Sequence, residues 1–272
     1  MTSQPLLTDR AALARHRSRA EDTGMFLHRT AMDEVQDRLE LVNKSFTAPV
    51  VITGFPGIWS GICPSARVVS DTETLALEQG AHDLAIHAMA LHWANDPVGQ
   101  LIQCRRALRA DGLFLCAAFG GQTLHELRAC LAQAEAEIVG GLSPRIAPMA
   151  ELRDLGGLLQ RAGYALPVAD VVPLHVEYAD AWALMRDLRQ MGEGNALQGR
   201  LRHPTRRSVL AKAAALYQQH FGTQTGRITA TFELVFLTGW APDESQQKPL
   251  RPGSAQQRLA DALRTDETKL RN

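Results

Sequence analysis

Two glycines three positions apart, Gly54 and Gly57, follow the apolar, β-branched run Val50-Val51-Ile52-Thr53. A glycine loop directly after a strand lets the backbone approach the polar end of a nucleotide-type cofactor, because no Cβ holds the ligand off. Here Phe55, Pro56, Ile58 and Trp59 crowd the loop, and proline restricts the conformations that glycine would allow. Three histidines, His82, His87 and His92, recur at five-residue intervals. An imidazole can line a site as base or donor near neutral pH, or be an ordinary hydrogen-bonded core or loop group. The spacing differs from the i, i+4 pair of a helical metal site, so no metal is expected. Gly120-Gly121 ahead of Thr123 could present backbone N–H groups to an anion, or be only a strand-to-helix turn. No G-x-S-x-G elbow occurs, which disfavours a hydrolase. No residue declares itself as catalytic.

These residues sit where strands should end. Val50–Thr53 reads as a first strand, Arg67–Asp71 as a second and His82–His87 as a third. The continuous apolar run Leu113–Ala118, after an Asp111-Gly112 turn, reads as a strand covered on both faces. Val168–Val176 and the alternating Ile228–Leu237 complete the set. Helices are expected over Met25–Lys44, from Pro97 to Leu108, from Thr123 to Ile138, and from Ala150 to Arg161. Further helices should run from Asp180 to Met191 and from Thr205 to Phe221. Proline suits a first helical turn, and Thr123 with Glu126 has the spacing of a capping box. Alternating strands and helices give an α/β fold with a mostly parallel sheet. Ligands of such sheets lie beyond the carboxyl ends of the strands, which puts Gly54, Asp71, His87 and Gly120 along one edge.

The formal net charge is zero and the hydrophobic share is 45%. The balance gives no global electrostatic case for nucleic acid or an anionic membrane. No segment reaches the roughly 20 apolar residues of a membrane span. The arginine-rich runs 15–19 and 200–207 read as solvated helix and loop charge, or as a surface for an acidic partner. Four cysteines without a C-x-x-C pair suit a reducing compartment. The N-terminal stretch lacks an apolar h-region. The expectation is a cytoplasmic, bacterial protein, with the mitochondrial matrix as the alternative.

The stretch from His82 to Pro97, HDLAIHAMALHWANDP, resembles the central strand and following segment of class I S-adenosylmethionine (SAM) methyltransferases. Arg105–Phe114, RRALRADGLF, is similar to the next helix–strand unit of that family. Phe119–Arg128, Gly141–Arg145, Met191–Asn195, Gly239–Pro242 and Glu244–Ser254 resemble a narrower group, the methyltransferase-like assembly factors of respiratory complex I. The resemblance runs from about Asp9 onward. It implies a Rossmann-like SAM-methyltransferase fold with an antiparallel last strand, and a substrate cleft to which Ser143, Glu193 and Asn195 could contribute. A mitochondrial member of the group is associated with hydroxylating an arginine of a complex I subunit.

Two departures from the family shape the reading. Its first motif, D-x-G-x-G-x-G, keeps only Gly54 and Gly57 here, and Ile52-Thr53 replaces the acidic residue. A βαβ unit needs about 30 residues or more, and Val50 to Val69 is too short to hold one. Asp71-Thr72-Glu73-Thr74-Leu75 resembles the segment after the family's third strand, so the second strand and its helix, with their ribose-binding acid, are expected to be missing. The expectation is a single methyltransferase-like domain over residues 1–272. It should carry N-terminal helices in 1–48, a helical insertion at 180–221 and a C-terminal tail at 241–272. The candidate cofactor contacts are Gly54, Gly57, Asp71, Thr72 and His87. The leading functional reading is a degenerate SAM site on a protein that binds a partner protein, a subunit of complex I, during assembly. The alternative is an active SAM-dependent methyltransferase or hydroxylase acting on a protein side chain. A nucleic-acid methyltransferase is disfavoured, since no N-P-P-Y-type motif is present.

Overall fold

The computed structural model describes residues 6–247. Contacts divide the chain into a large unit, Met1–Pro242, and a C-terminal unit, Asp243–Asn272. In the latter, the Asp243 carboxylate accepts hydrogen bonds from the backbone and hydroxyl of Ser245 at 2.9 and 2.6 Å. Most of the expected tail, and the family-like stretch beyond residue 247, lie outside the described residues.

Within the large unit, six strands form one sheet. They are β1 (Pro49–Thr53), β2 (Arg67–Val69), β3 (His82–Ala88), β4 (Leu108–Phe119), β5 (Ala165–Tyr178) and β6 (Ile228–Trp240). The order is β2-β1-β3-β4-β6-β5. The first four are mutually parallel, and β6 runs antiparallel to both its neighbours. Among the described residues the α-helices are α1 (Arg10–Arg17), α2 (Phe26–Leu41), α3 (Pro56–Trp59), α4 (Pro97–Ala107), α5 (His125–Val139), α6 (Leu152–Arg161), α7 (Ala181–Gln190) and α8 (Arg207–Phe221). Aspartates at residues 9, 96 and 180 cap α1, α4 and α7, each accepting a backbone N–H from three residues on.

Val50, Val51 and Ile52 are fully buried because alternate side chains of β1 enter different cores. Val51 joins the core beneath α2, α5, α7 and α8, whereas Val50 and Ile52 join the one beneath α4 and α6. The result is a helix–sheet–helix sandwich. Edge strand β5 instead alternates half-buried and exposed residues, the pattern of a sheet margin with one solvated face. β1 connects to β2 through the single helical turn of α3, and the two strands pair directly, Ile52 beside Val69. The link between them is too short to hold a further strand and helix.

Two local expectations are corrected. Asp111-Gly112 does not precede β4 but lies within it. Asp111 takes a φ of 55°, and the β3–β4 register jumps from His82↔Leu108 to Leu84↔Leu113, so the pair forms a bulge. The capping box at α5 does not form. Thr123 Oγ1 donates to Gly120 O and accepts the Glu233 N–H. Glu126 turns to Thr231, accepting its backbone N–H and hydroxyl. Strand β6 competes for both side chains, and the tertiary partner wins.

Candidate functional site

The carboxyl ends of β1, β2, β3 and β4 share one edge of the sheet, and α1 lies along it. Two pockets open on either side of this helix. The smaller, about 350 Å³, is lined by Arg10, Arg17, Gly54, Ser70 and Asp71. The larger, about 470 Å³, has His16, Trp93, Phe119, Leu124, Glu193 and Phe232 among its walls.

In the smaller pocket, Asp71 follows β2 by two residues and Gly54 follows β1 by one. Arg17 Nη1 donates to Asp71 Oδ1 at 2.7 Å. Arg10 Nη2 lies 3.2 Å from Asp71 Oδ2 and donates to the Asp71 carbonyl at 2.5 Å. The carboxylate is 4% exposed and the Arg17 side chain 10%. Burial would raise the Asp71 carboxyl, but Arg17 and then Arg10 outweigh it and hold it below the usual carboxylate range. A Cβ at Gly54 would displace the Arg17 guanidinium from its present seat. Arg17 Nε and Nη2 and Arg10 Nη1 are buried without hydrogen-bond partners.

The loop residues that crowd the glycines point elsewhere. Trp59 is fully buried, and its Nε1 donates to His28 Nδ1 at 3.1 Å. The Phe55 ring meets the His28 ring edge-on, with centroids 4.7 Å apart. Burial pushes the His28 imidazolium pKa down to about 4. These side chains fill the core, and Arg17 fills the space over Gly54.

The other expected cofactor contacts are placed differently. Gly57 lies inside α3 with open space around its Cα and does not join the pocket. Thr72 closes a local turn by donating to Thr74 O. His87 is fully buried, with Nε2 2.7 Å from Gln100 Oε1, while Gln100 Nε2 donates to Thr72 O. Thr72 and His87 are thus joined through Gln100, outside the walls of the smaller pocket. Burial lowers the His87 pKa, which keeps its ring neutral.

The larger pocket has a different electrostatic character. Gly192-Glu193-Gly194-Asn195 forms a turn after α7. Gly192 takes a φ of 81°, and a Cβ there would press on Phe55, Ala20 and Arg17. This close approach carries Glu193 inward. Glu193 Oε2 accepts Trp93 Nε1–H at 2.7 Å and lies 3.3 Å from His92 Nε2. The Phe119 N–H points to His92 Nδ1 at 3.4 Å, which leaves the His92 Nε2 proton to be donated to the carboxylate. Glu193 Oε1 is buried with no hydrogen-bond partner, and the side chain is 6% exposed. Burial would raise the carboxyl, yet His92, His28 and Arg17 hold it below its usual value. The wall of the pocket therefore holds a buried carboxylate, its pKa kept down and one of its oxygens without a hydrogen bond, beside apolar and basic side chains.

Of the other residues carried over by resemblance, Asn195 lines this pocket and bonds Pro144 O and the Leu197 N–H. Ser143 does not line it. Its hydroxyl and N–H bind Glu135, which with Arg145 clasps the neighbouring loop. Arg17 and Arg200 are missed when the arginine runs are read as solvated charge, and Arg10, outside both runs, carries no signal of its own. Arg17 pairs with Asp71, and Arg200 pairs with Asp9 at 2.9 Å. Among the described residues no three His, Cys, Asp or Glu side chains gather as a metal site, and no helix is long and apolar enough to cross a membrane.

Sheet order, antiparallel β6 and ligand edge together define a class I methyltransferase fold. A methyltransferase domain model matches residues 14–116. The YcgJ protein of Bacillus subtilis shares the fold at a TM-score of 0.51 and 12% identity, over 79% of this chain and 100% of that one. "Arginine-hydroxylase NDUFAF5, mitochondrial" of Danio rerio is 36% identical over 82% of this chain and 69% of its own length. The Homo sapiens protein of that name is 37% identical over 79% of this chain and 62% of its own length. A "Malonyl-[acyl-carrier protein] O-methyltransferase" of Laribacter hongkongensis is 37% identical over 69% of this chain and 61% of its own length. The chain thus spans roughly three-fifths to two-thirds of these relatives. It belongs to the class I methyltransferase-domain family that includes the proteins named arginine-hydroxylase.

The family implies SAM. With α1 where it lies, the space directly over the glycine turn is taken by the chain itself. The glycine cradle holds Arg17, and Asp71 is already paired with two guanidinium groups.

Proposed function

We propose that this protein is an enzyme that modifies an arginine side chain of a partner protein, seating the guanidinium on Glu193 in the larger pocket. The observation that carries the reading is the buried, ionised Glu193 carboxylate with Oε1 unpaired beside an apolar cavity. Apolar walls suit the methylene stem of arginine, and a carboxylate suits its planar donor fork. The name borne by the zebrafish and human relatives, arginine-hydroxylase, agrees with that chemistry. Of the cavity arginines, Arg145 pairs with Glu135 and Arg200 with Asp9, while Arg189 also lines the wall. The leading expectation of a binding module with a degenerate SAM site gives way here to the enzyme reading. The partner, on the sequence resemblance, is a subunit of NADH:ubiquinone oxidoreductase, met in the bacterial cytoplasm.

The test is a comparison of arginine modification in proteins from cells with the intact gene, without it, and with Glu193→Gln. The reading expects one arginine to carry added oxygen or methyl mass only in the first. An arginine modification pattern identical in all three would refute it.

A further inference from the structure

Helix α1 forms a wall of both pockets. His16 lines the larger one, with Nε2 3.3 Å from Asn195 O. Arg10 and Arg17 line the smaller one. The segment leading into the helix is strapped on one side to the turn after α7, where Asp9 N–H donates to Ala196 O and Gln198 N–H to Leu7 O. On the other side, Asn95 Oδ1 accepts the N–H groups of Leu7 and Thr8, each at 2.8 Å. The helix has eight residues, and its hold on the sheet edge centres on Asp71.

Asp71 is where a nucleoside would be recognised. In a doubly wound sheet, the acid beyond the strand beside the first one binds the ribose diol, and the glycine turn after the first strand admits the ligand's polar end. Direct pairing of β2 with β1 sets Asp71 beside Gly54. The chain's own guanidinium groups take up both features. Three N–H-bearing nitrogens of those groups, Arg17 Nε, Arg17 Nη2 and Arg10 Nη1, are buried without partners, which marks the pairing as incomplete. Buried donors left unpaired cost stability, and an arrangement that carries three has reason to exchange with another.

We propose that α1 is a displaceable plug. Arg17 stands in the place of an adenine nucleoside at Gly54 and Asp71, and such a ligand is admitted only when Arg17 leaves the carboxylate. Because the opposite flank of α1 walls the larger pocket, opening for the nucleoside also loosens that wall. The proposal does not rest on the arginine reading of Glu193.

The experiment uses the full chain and S-adenosylhomocysteine as the probe. Calorimetry compares the natural protein with Arg17→Met, which keeps an apolar stem over Phe55 and removes the charge. A closed state that dominates lowers apparent affinity by its share of the population, so the variant should bind about tenfold tighter or more. Hydrogen exchange of the natural protein at millimolar probe should show faster exchange across residues 10–18. Equal or weaker binding by the variant would overturn the proposal, as would slowed or unchanged exchange in α1. The exchange arm decides the question even if the variant does not fold.

Discussion

The two pockets beside α1 each hold a buried carboxylate, and the chain treats the two differently. Asp71 is met by two arginines from α1, Arg17 hydrogen-bonded to Oδ1 and Arg10 in ion-pair contact 3.2 Å from Oδ2. Glu193 is met at one oxygen by Trp93 and His92, and its other oxygen is buried with neither a hydrogen bond nor a cation beside it. An acid sealed by arginines acts as a structural tie until something displaces them. An acid held ionised with a free oxygen is prepared for a cation that the chain does not supply. Sequence position alone would rank them the other way, since Asp71 has the register of a cofactor acid and Glu193 sits in an inserted turn.

The largest expected effect breaks the first half of that comparison. Asp71→Asn leaves two arginines facing a neutral group in a buried site, and removing one partner of a buried pair costs about 3 kcal/mol or more. A urea titration checks this. A loss under about 1 kcal/mol would mean the tie is not structural.

His28 is buried against Phe55 and Trp59, and its lowered pKa makes a pH prediction. Its pKa near 4 in the folded chain lies below the unfolded value of about 6.5. Between these values the unfolded chain binds more protons, so stability is fully present above about pH 6.5 and is lost as pH falls toward 4. The full contribution is about 3 kcal/mol. Stability of the natural protein should fall over that window, and His28→Gln should flatten the fall. An equal slope in the variant would place the titration elsewhere.

How much of this was legible in the sequence depends on the range of the interactions. The parallel strands and the short β1–β2 link follow from local patterning and spacing, and the antiparallel β6 from the family resemblance. Glu193 and Asn195 were reachable through the Met191–Asn195 resemblance, although the unpaired oxygen was not. The role of Arg17 was hidden, because its partner lies 54 positions away and a paired arginine looks like a solvated one in a charge run. The Thr123–Glu126 capping signal failed for a similar reason, since Glu126 finds Thr231 105 positions on. Gly57 looked equivalent to Gly54, but Pro56 draws it into α3.

Smaller effects sharpen the contrast. Gly54→Ala forces a methyl into the Arg17 guanidinium and should cost about 1–3 kcal/mol, whereas Gly57→Ala, with open space around it, should change stability little. Thermal unfolding of the two variants separates them. Glu193→Gln removes a charge already partly unsatisfied and keeps an acceptor for Trp93. It should cost about 1 kcal/mol or less, well below Asp71→Asn in the same titration.

The central claim is that Glu193 is kept for a guanidinium. The most direct measurement is calorimetric binding of an arginine-containing peptide and its citrulline counterpart to the natural protein and to Glu193→Gln. A charged hydrogen bond to a buried carboxylate is worth about 1.5–3 kcal/mol. The natural protein should therefore prefer arginine by about tenfold or more, and the variant should lose that preference. Equal binding of the two peptides by the natural protein, or an undiminished preference in the variant, would contradict the account.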